Sequence, residues 1–280
     1  MFNSVGIVAR IDRKEALNYA VELASYIEGK GLKVSLEPTL AKYAGREEIA
    51  VSLEDMKVDL IVTIGGDGTI LKTCLSTPKP EPPILPINMG VRGFLTEVDP
   101  KEGFEAIDRC LAGEFSLEVF RKVACRVGGE DLPHALNEVY ITSKTPAKML
   151  YVRILKDSEV VGSCRADGFV VASKAGSTGY SLSGGGPILD PSIDAFVLTP
   201  ICPLTLFYPI VFSNDSLVKI RLMKPQEAVI VVDGDFIYEL SGEETVEVTG
   251  SKYTTKFVRL ETDFYSRLRR RLLVSRGQRA

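Results

Sequence analysis

Asp59-Leu60-Ile61-Val62-Thr63-Ile64-Gly65-Gly66-Asp67-Gly68-Thr69-Ile70-Leu71-Lys72-Thr73-Cys74-Leu75 is the stretch that decides the fold class. Its first part is apolar without alternation, the pattern of a strand buried on both faces of a parallel sheet. The glycines around Asp67 let the chain turn tightly and let a ligand come close to the backbone. The segment from Ile70 then reads as a helix. A helix start carries N–H groups without intrahelical partners and a partial positive charge, which suits phosphate. A carboxylate between glycines at such an anion site is costly unless it is used. It can bind Mg²⁺ or take a proton from an attacking hydroxyl. Lys72, four residues after Gly68, reaches back along the same helix face. The loop lacks the GK[ST] ending of a Walker A motif and the spacing of a GxGxxG fingerprint.

Upstream, the pattern alternates strand and helix. Ser4-Val5-Gly6-Ile7-Val8-Ala9 reads as a short apolar strand, and residues 13–29 place Ala16, Leu17, Ala20, Val21, Leu23, Ala24 and Ile27 on one helical stripe. Gly31 is a helix stop, Leu32-Lys33-Val34-Ser35-Leu36 a second strand, and residues 47–56 a second helical pattern. This order implies a parallel sheet with helices on its faces. Downstream, Pro78-Lys79-Pro80-Glu81-Pro82-Pro83 is a stiff linker, Ile84-Leu85-Pro86-Ile87-Asn88 a strand, and residues 101–111 a helix.

From about Phe115 the texture changes. Residues 150–155, 168–172, 228–232 and 245–249 are short, β-branched and often alternating, with Gly or Asp/Asn turns between them. Residues 263–274 return to a helical pattern with Phe264, Leu268, Leu272 and Leu273 on one side. The basic cluster Arg267, Arg269, Arg270, Arg271 reads as a solvated helix face with cations near its C-terminus.

A second glycine cluster runs from Asp167 to Pro187 and contains Gly176-Ser177-Thr178-Gly179-Tyr180-Ser181-Leu182-Ser183-Gly184-Gly185-Gly186. A strand leads into small hydroxyl residues, three glycines and a proline. Hydroxyls, exposed N–H groups and one tyrosine ring suit the phosphates, sugar hydroxyls and flat base of a nucleotide.

Composition excludes several other chemistries. The chain has 34 basic and 37 acidic residues and a net charge of −3, which leaves no electrostatic footprint for nucleic acid and no broad surface for a membrane. The largely apolar residues 193–212 hold Asp194 and three prolines, which argues for irregular buried strands rather than a membrane span. The start of the chain is too short in apolar residues for a secretory signal. Five widely spaced cysteines form no CxxC pair, so a reducing, cytoplasmic compartment is expected. The single histidine, His134, sits in a polar turn-like stretch and reads as structural. Without a Ser-His-Asp triad or a multi-histidine metal site, carboxylates must carry any acid–base work.

Gly65-Gly66-Asp67-Gly68-Thr69, Asn137-Glu138 and the GSTGYSLSGGGP element, in this order, closely resemble the NAD kinase family. Asn88-Met89-Gly90-Val91-Arg92-Gly93-Phe94-Leu95 is similar to that family's NxGxxGFL pattern, and Leu198-Thr199-Pro200-Ile201-Cys202-Pro203 also resembles a family segment. The likeness runs over nearly the whole chain, and the GSTxYSLSxGGP element is highly specific. GGDGT alone is less so, being similar in phosphofructokinases and diacylglycerol-type lipid kinases.

The resemblance implies transfer of a phosphoryl group from ATP or polyphosphate to the 2′-hydroxyl of the adenosine ribose of NAD, with Mg²⁺ as divalent metal. It implies Asp67 as the catalytic carboxylate. Nucleotide contacts are implied at Gly66, Gly68, Lys72, Asn137, Glu138, Arg165, Asp167, Thr178, Gly179, Tyr180, Ser181, Leu182 and Ser183, and at Asp233. Asp235 stands where the family pattern has Gln, and Asp233-Gly234 is also a hairpin turn signal. The implied architecture is an α/β N-terminal domain with a parallel sheet and a mostly-β C-terminal domain, the C-terminal helix returning to the first. The boundaries expected are residues 1–115 plus 256–280 for the α/β domain and 116–255 for the β-rich, nucleotide-binding domain. Family likeness also implies a homodimer or homotetramer. Two other readings stay open: another small-molecule or lipid kinase built on the GGDGT loop, and a dinucleotide-binding regulator without catalysis.

Overall fold

A computed structural model describes residues 2–90, 93–240, 242, 244–260 and 264–272. The chain divides into two compact units, Met1–Val119 with Thr255–Ala280, and Phe120–Thr254.

The first unit is the α/β one. Its elements are β1 (Ser4–Ala9), α1 (Lys14–Gly29), β2 (Lys33–Leu36), α2 (Pro38–Ala44), β3 (Leu60–Gly65), α3 (Asp67–Ser76), β4 (Ile84–Asn88) and α4 (Gly103–Ala112). The strands run in the order β2-β1-β3-β4, all parallel. Every residue of β3 and β4 is buried, as their unbroken apolar runs predict. Against the sheet lie Ala16, Leu23 and Ile27 of α1 and Ala106, Ile107 and Cys110 of α4, which share one core with Ile7, Leu36, Ile64 and Leu85. Burying a Leu or Ile side chain contributes about 1.5–3 kcal/mol, so this stripe is what docks each helix.

One helix expectation fails here. Residues 47–56 form two separate 3₁₀ turns, Glu47–Ile49 and Leu53–Asp55. Between them Val51 donates to the Leu36 carbonyl at 2.9 Å and Ala50 bridges to Leu36, so the sheet edge claims backbone groups that a helix would use. The helix lies earlier, in α2. Its start is fixed by the Glu37 carboxylate, which accepts from the Thr39 and Leu40 N–H groups, and by Pro38 in the first turn; Gly45 closes it in the left-handed region at φ 66°.

The second unit is almost wholly β. Its elements are β5 (Ser116–Val127), which enters from the first unit, β6 (Glu130–Asp131), β7 (Glu138–Ser143), β8 (Leu150–Lys156), β9 (Glu159–Ala166), β10 (Gly168–Ala172), α5 (Tyr180–Ser183), β11 (Ala195–Ile201), β12 (Ile210–Ser213), β13 (Val218–Leu222), β14 (Ala228–Val232), β15 (Phe236–Leu240) and β16 (Thr245–Arg259). One antiparallel sheet has the order β12-β11-β10-β7-β14-β15. A second ladder joins the first part of β16 to β13, β8 and β9. The β14–β15 hairpin turns at Asp233 (φ 49°) and Gly234 (φ 75°), the left-handed pair that the Asp-Gly signal predicts. The stretch 193–212 supplies β11 and β12, and no helix among the described residues is long and apolar enough to cross a membrane.

β16 carries the chain back into the first unit, where Phe257 pairs with Ile84 of β4 and α6 (Phe264–Leu272) follows. Asp263, Leu273 and Val274, the ends of the expected helix, lie outside the described residues. The expectation of a solvated basic face needs correction at Arg267. Its guanidinium turns inward to the Glu118 carboxylate at 2.8 Å, its side chain only 12% exposed. Glu118, already bound to the buried Arg259 at 2.6 Å, accepts from Arg267 Nη2 on both oxygens, and charge-assisted bonds of this kind are stronger than bonds to water in a half-buried site.

Candidate functional site

In the first unit, β3 runs into the glycine loop and α3 begins at Asp67, one turn before the start read from sequence. Gly66 holds the N-cap position, which therefore carries no side-chain cap. The Asp67 carboxylate accepts from the backbone N–H groups of Phe94 (2.9 Å, to Oδ2) and Leu95 (3.2 Å, to Oδ1). The turn that donates them is part of the NxGxxGFL stretch, of which Val91 and Arg92 lie outside the described residues. Gly93 is required there by space: a Cβ would stand 1.8 Å from Asp67 Oδ1. Gly65 is likewise committed, because its Cβ would meet Thr69 Oγ1 at 2.3 Å, whereas Gly66 and Gly68 have open space on that side. Lys72 is exposed on α3.

The second unit brings together most of the other expected residues. Asn137 and Glu138 stand at the start of β7, alongside the end of β10. The glycine-rich loop after β10 crosses directly over them. Gly176 packs on the Asn137 carbonyl, where a Cβ would come within 2.0 Å, and a Cβ on Gly179 would lie 3.4 Å from Glu138 Oε2 and 3.6 Å from Asn137 Nδ2. Glycine is therefore needed at 176 for the loop to approach at all.

Two buried polar atoms here, Asn137 Oδ1 and Glu138 Oε2, have no hydrogen-bond partner among the described residues. Such atoms are rare in folded proteins and are open to a partner from water, an ion or a bound molecule. Burial, with the neighbouring Asp233 charge second, pushes the Glu138 carboxyl up to about 8. A neutral Glu138 has an O–H to donate as well as an oxygen to accept.

Asp233 faces the chain. Its Oδ2 accepts from the Leu136 N–H at 2.7 Å and its Oδ1 from those of Asn137 (2.8 Å) and Glu138 (3.0 Å). Burial raises this carboxyl to about 6, against those three N–H bonds and the charge of the fully buried Lys122. The geometry makes Asp233 a clamp on the segment that presents Asn137 and Glu138. Asp235 is exposed at the hairpin tip.

The hydroxyls of the loop are largely occupied in holding its shape. Ser177 Oγ donates to the Lys174 carbonyl at 2.7 Å, Thr178 Oγ1 to that of Ala175 at 2.9 Å, and Ser181 Oγ pairs with Thr199 Oγ1 at 2.8 Å. Ser183 and Asp167 are exposed, and Leu182 is half-buried. The Tyr180 ring, 40% exposed, stands edge-on to Tyr140 with centroids 5.1 Å apart. Burial of its hydroxyl raises that group to about 12, so it stays protonated. Arg165 is directed elsewhere, its guanidinium 5.0 Å from the Tyr151 ring on the other ladder. His134 has the structural place expected of it, bonded to Ser251 Oγ at 2.7 Å and edge-on to Tyr253.

Sequence reasoning missed Tyr140, Lys122 and the donors at Phe94 and Leu95. The NxGxxGFL pattern was the available signal for the last two, but a motif of backbone donors does not say which carboxylate they hold.

These features make the chain a nucleotide-binding protein equipped for phosphoryl transfer. It matches family models described as ATP-NAD kinase N-terminal domain over residues 5–115 and ATP-NAD kinase C-terminal domain over residues 136–260. The NAD kinase of Methanothermobacter thermautotrophicus is 42% identical over 272 residues, 96% of either chain. The crystal structure of an NAD kinase from Archaeoglobus fulgidus in complex with ATP is similar with a TM-score of 0.79 and 28% identity, over 95% of this chain and 98% of that one. That of yeast NADH kinase complexed with NADH has a TM-score of 0.90 over 98% of this chain and 88% of that one, at 24% identity, a likeness of fold. The chain belongs to the ATP-NAD kinase family.

Proposed function

We propose that this enzyme transfers the γ-phosphoryl group of ATP to the 2′-hydroxyl of the adenosine ribose of NAD, giving NADP and ADP. The observation that carries this reading is a match to NAD kinases over nearly the whole chain in which the GGDGT carboxylate is present and oriented by two backbone N–H groups. The ribose oxygen attacks phosphorus, the bond from phosphorus to the ADP oxygen breaks, and the hydroxyl proton passes to the Asp67 carboxylate. A carboxylate has about four lone-pair sites on its two oxygens, so the N–H bonds from Phe94 and Leu95 are compatible with accepting a proton. Gly66 and Gly68, open on their Cα faces, and the start of α3 suit close approach of phosphate. Asn137 and Glu138, with their unpaired oxygens, suit sugar hydroxyls, and the exposed Tyr180 ring suits a flat base.

A divalent metal fits this donor set in one way. Among the described residues no group of three or more His, Cys, Asp or Glu forms a cage. Mg²⁺ commonly binds through one or two carboxylates plus substrate phosphates, keeping several waters. Asp67 is the carboxylate that would join such a shell, and the bound metal would neutralise charge on the phosphates.

Incubation with NAD, ATP and Mg²⁺, read through an NADP-specific dehydrogenase, tests the reading. NADP is expected to form with Mg²⁺ and to fall to background after exhaustive chelation. Polyphosphate and NADH run as alternative donor and acceptor define substrate range. Product on diacylglycerol or fructose 6-phosphate with none on NAD would overturn the assignment, and full activity after chelation would remove the metal.

We also propose that the chain self-associates and works in the cytoplasm. Among the described residues no cysteine is in a disulfide and four of the five are buried, which suits a reducing compartment. Leu204 (63%), Leu206 (82%) and Tyr208 (68%) are exposed on a loop tied to β9 by the bond from Leu204 N to Arg165 O, and Val160 of that strand is 61% exposed. Apolar residues grouped this way on a strand edge favour a second copy of the chain. Leu206→Asp is expected to lower the mass measured by light scattering; an unchanged mass would exclude this surface.

A further inference from the structure

The Asp67 carboxylate depends for its orientation on a turn that is itself held from two sides. We propose that Thr96 and Arg259 are positioning residues for Asp67, acting through residues 93–97 to fix the direction of its two oxygens. This rests on the reading of Asp67 as the group that acts on the ribose hydroxyl.

Inside the turn, the buried Thr96 hydroxyl accepts from the Gly93 N–H at 3.1 Å and donates to Asn88 Oδ1 at 3.2 Å. Asn88 ends β4 opposite Gly65 of β3, the residue that opens the glycine loop. One hydroxyl thus ties the donor turn to the strand pair from which Asp67 emerges.

From the other side, Arg259 Nη1 donates to the Leu95 carbonyl at 3.0 Å, while the Leu95 N–H holds Asp67 Oδ1. The N–H and the C=O of one residue, Leu95, therefore connect a guanidinium at the end of β16 to the carboxylate at the start of α3. Arg259 is 1% exposed and meets Glu97 Oε2 at 3.0 Å and Glu118 Oε2 at 2.6 Å. Glu97 in turn accepts from the Leu260 N–H at 2.9 Å, and Arg267 holds Glu118 at 2.8 Å. A buried ion network of this kind is poorly explained by stability, since well-packed apolar residues are often as stabilising. What only a guanidinium supplies is a rigid planar fork that meets two carboxylates and still directs one N–H at a carbonyl. Misplacing a reacting group by about 1 Å can cost on the order of 10²-fold in rate, so rigidity here has a kinetic consequence.

The test uses the full-length enzyme with Thr96→Val, Arg259→Lys and Asp67→Asn, alone and with each of the first two combined with the last. Thr96→Val keeps the side-chain shape and removes only the hydroxyl, so it decides the matter if Arg259→Lys does not fold. Thr96→Val and folded Arg259→Lys are each expected to lower kcat about 10- to 100-fold, with the Kd for NAD within about 3-fold of wild type. In the Asp67→Asn background each should change kcat by less than about 2-fold, because the group they orient is gone. Equal losses in both backgrounds would mean general structural damage and would overturn the inference. Wild-type kcat in Thr96→Val and folded Arg259→Lys, with Asp67→Asn inactive, would overturn the inference alone. Wild-type kcat in Asp67→Asn would overturn the reading of Asp67 and this inference with it.

Discussion

Asp67→Asn is expected to lower kcat by about 10²–10⁴-fold, the usual cost of losing general-base help. That corresponds to roughly 3–5 kcal/mol of barrier. Asparagine keeps the size of the side chain but cannot take the hydroxyl proton and ligates a metal poorly. The cradle adds a structural effect. Phe94 and Leu95 each point an N–H at one carboxylate oxygen, so the amide nitrogen of asparagine must face a donor with a donor. One of the two bonds is lost, and a stability loss of about 1 kcal/mol follows. The fold should survive, because asparagine keeps the size of the side chain and α3 has Gly66 at its N-cap. NAD affinity should change by only about 3-fold if the carboxylate acts mainly in the transition state. Coupled NADP assays and calorimetry on one preparation measure both quantities. Wild-type kcat would remove Asp67 from the chemistry; parallel loss of binding and turnover would make it a substrate-positioning residue.

Gly66→Val is expected to lower kcat/KM by about 10²-fold or more while the protein melts within a few degrees of wild type. At Gly66 a Cβ meets nothing within 4 Å, and the backbone is extended at φ −111°, so the chain itself tolerates a side chain. Whatever is lost must come from an approaching ligand that the branched side chain holds off. Gly65→Val supplies the contrast. There the Cβ would collide with Thr69 Oγ1 at 2.3 Å, so a lowered melting temperature is expected along with lost activity. Near-normal kinetics in Gly66→Val would reduce the loop to a turn between strand and helix.

Much of the second unit was legible because turn chemistry and alternation are local. The strands at Gly168–Ala172 and Ala228–Val232 follow from β-branched runs bounded by turns, and Asp233-Gly234 announces its hairpin. The helix at Pro38–Ala44 is also written locally, in Glu37, Pro38 and Gly45, whereas residues 47–56, read as helical, form two 3₁₀ turns. Nothing local could reveal that the sheet edge at Leu36 takes up the backbone of that later segment.

By itself the sequence determined the parallel α/β first half, the β-rich second half, the phosphate-type loop at Gly65-Gly66-Asp67-Gly68 and the membership of the family. Each of these rests on periodicity or on short runs of residues whose chemistry is read without knowing what they touch. Only the tertiary structure decided where the carboxylates point. It sets Asp67 on the N–H groups of Phe94 and Leu95, turns Asp233 onto the backbone of Leu136–Glu138, and seats the buried Arg259 on Glu97 and Glu118 and the half-buried Arg267 on Glu118. These partners come from distant parts of the chain, and in several of them the group recognised is a backbone N–H or carbonyl. Every residue but proline has that N–H, so no residue type in the sequence can mark which one a carboxylate will find.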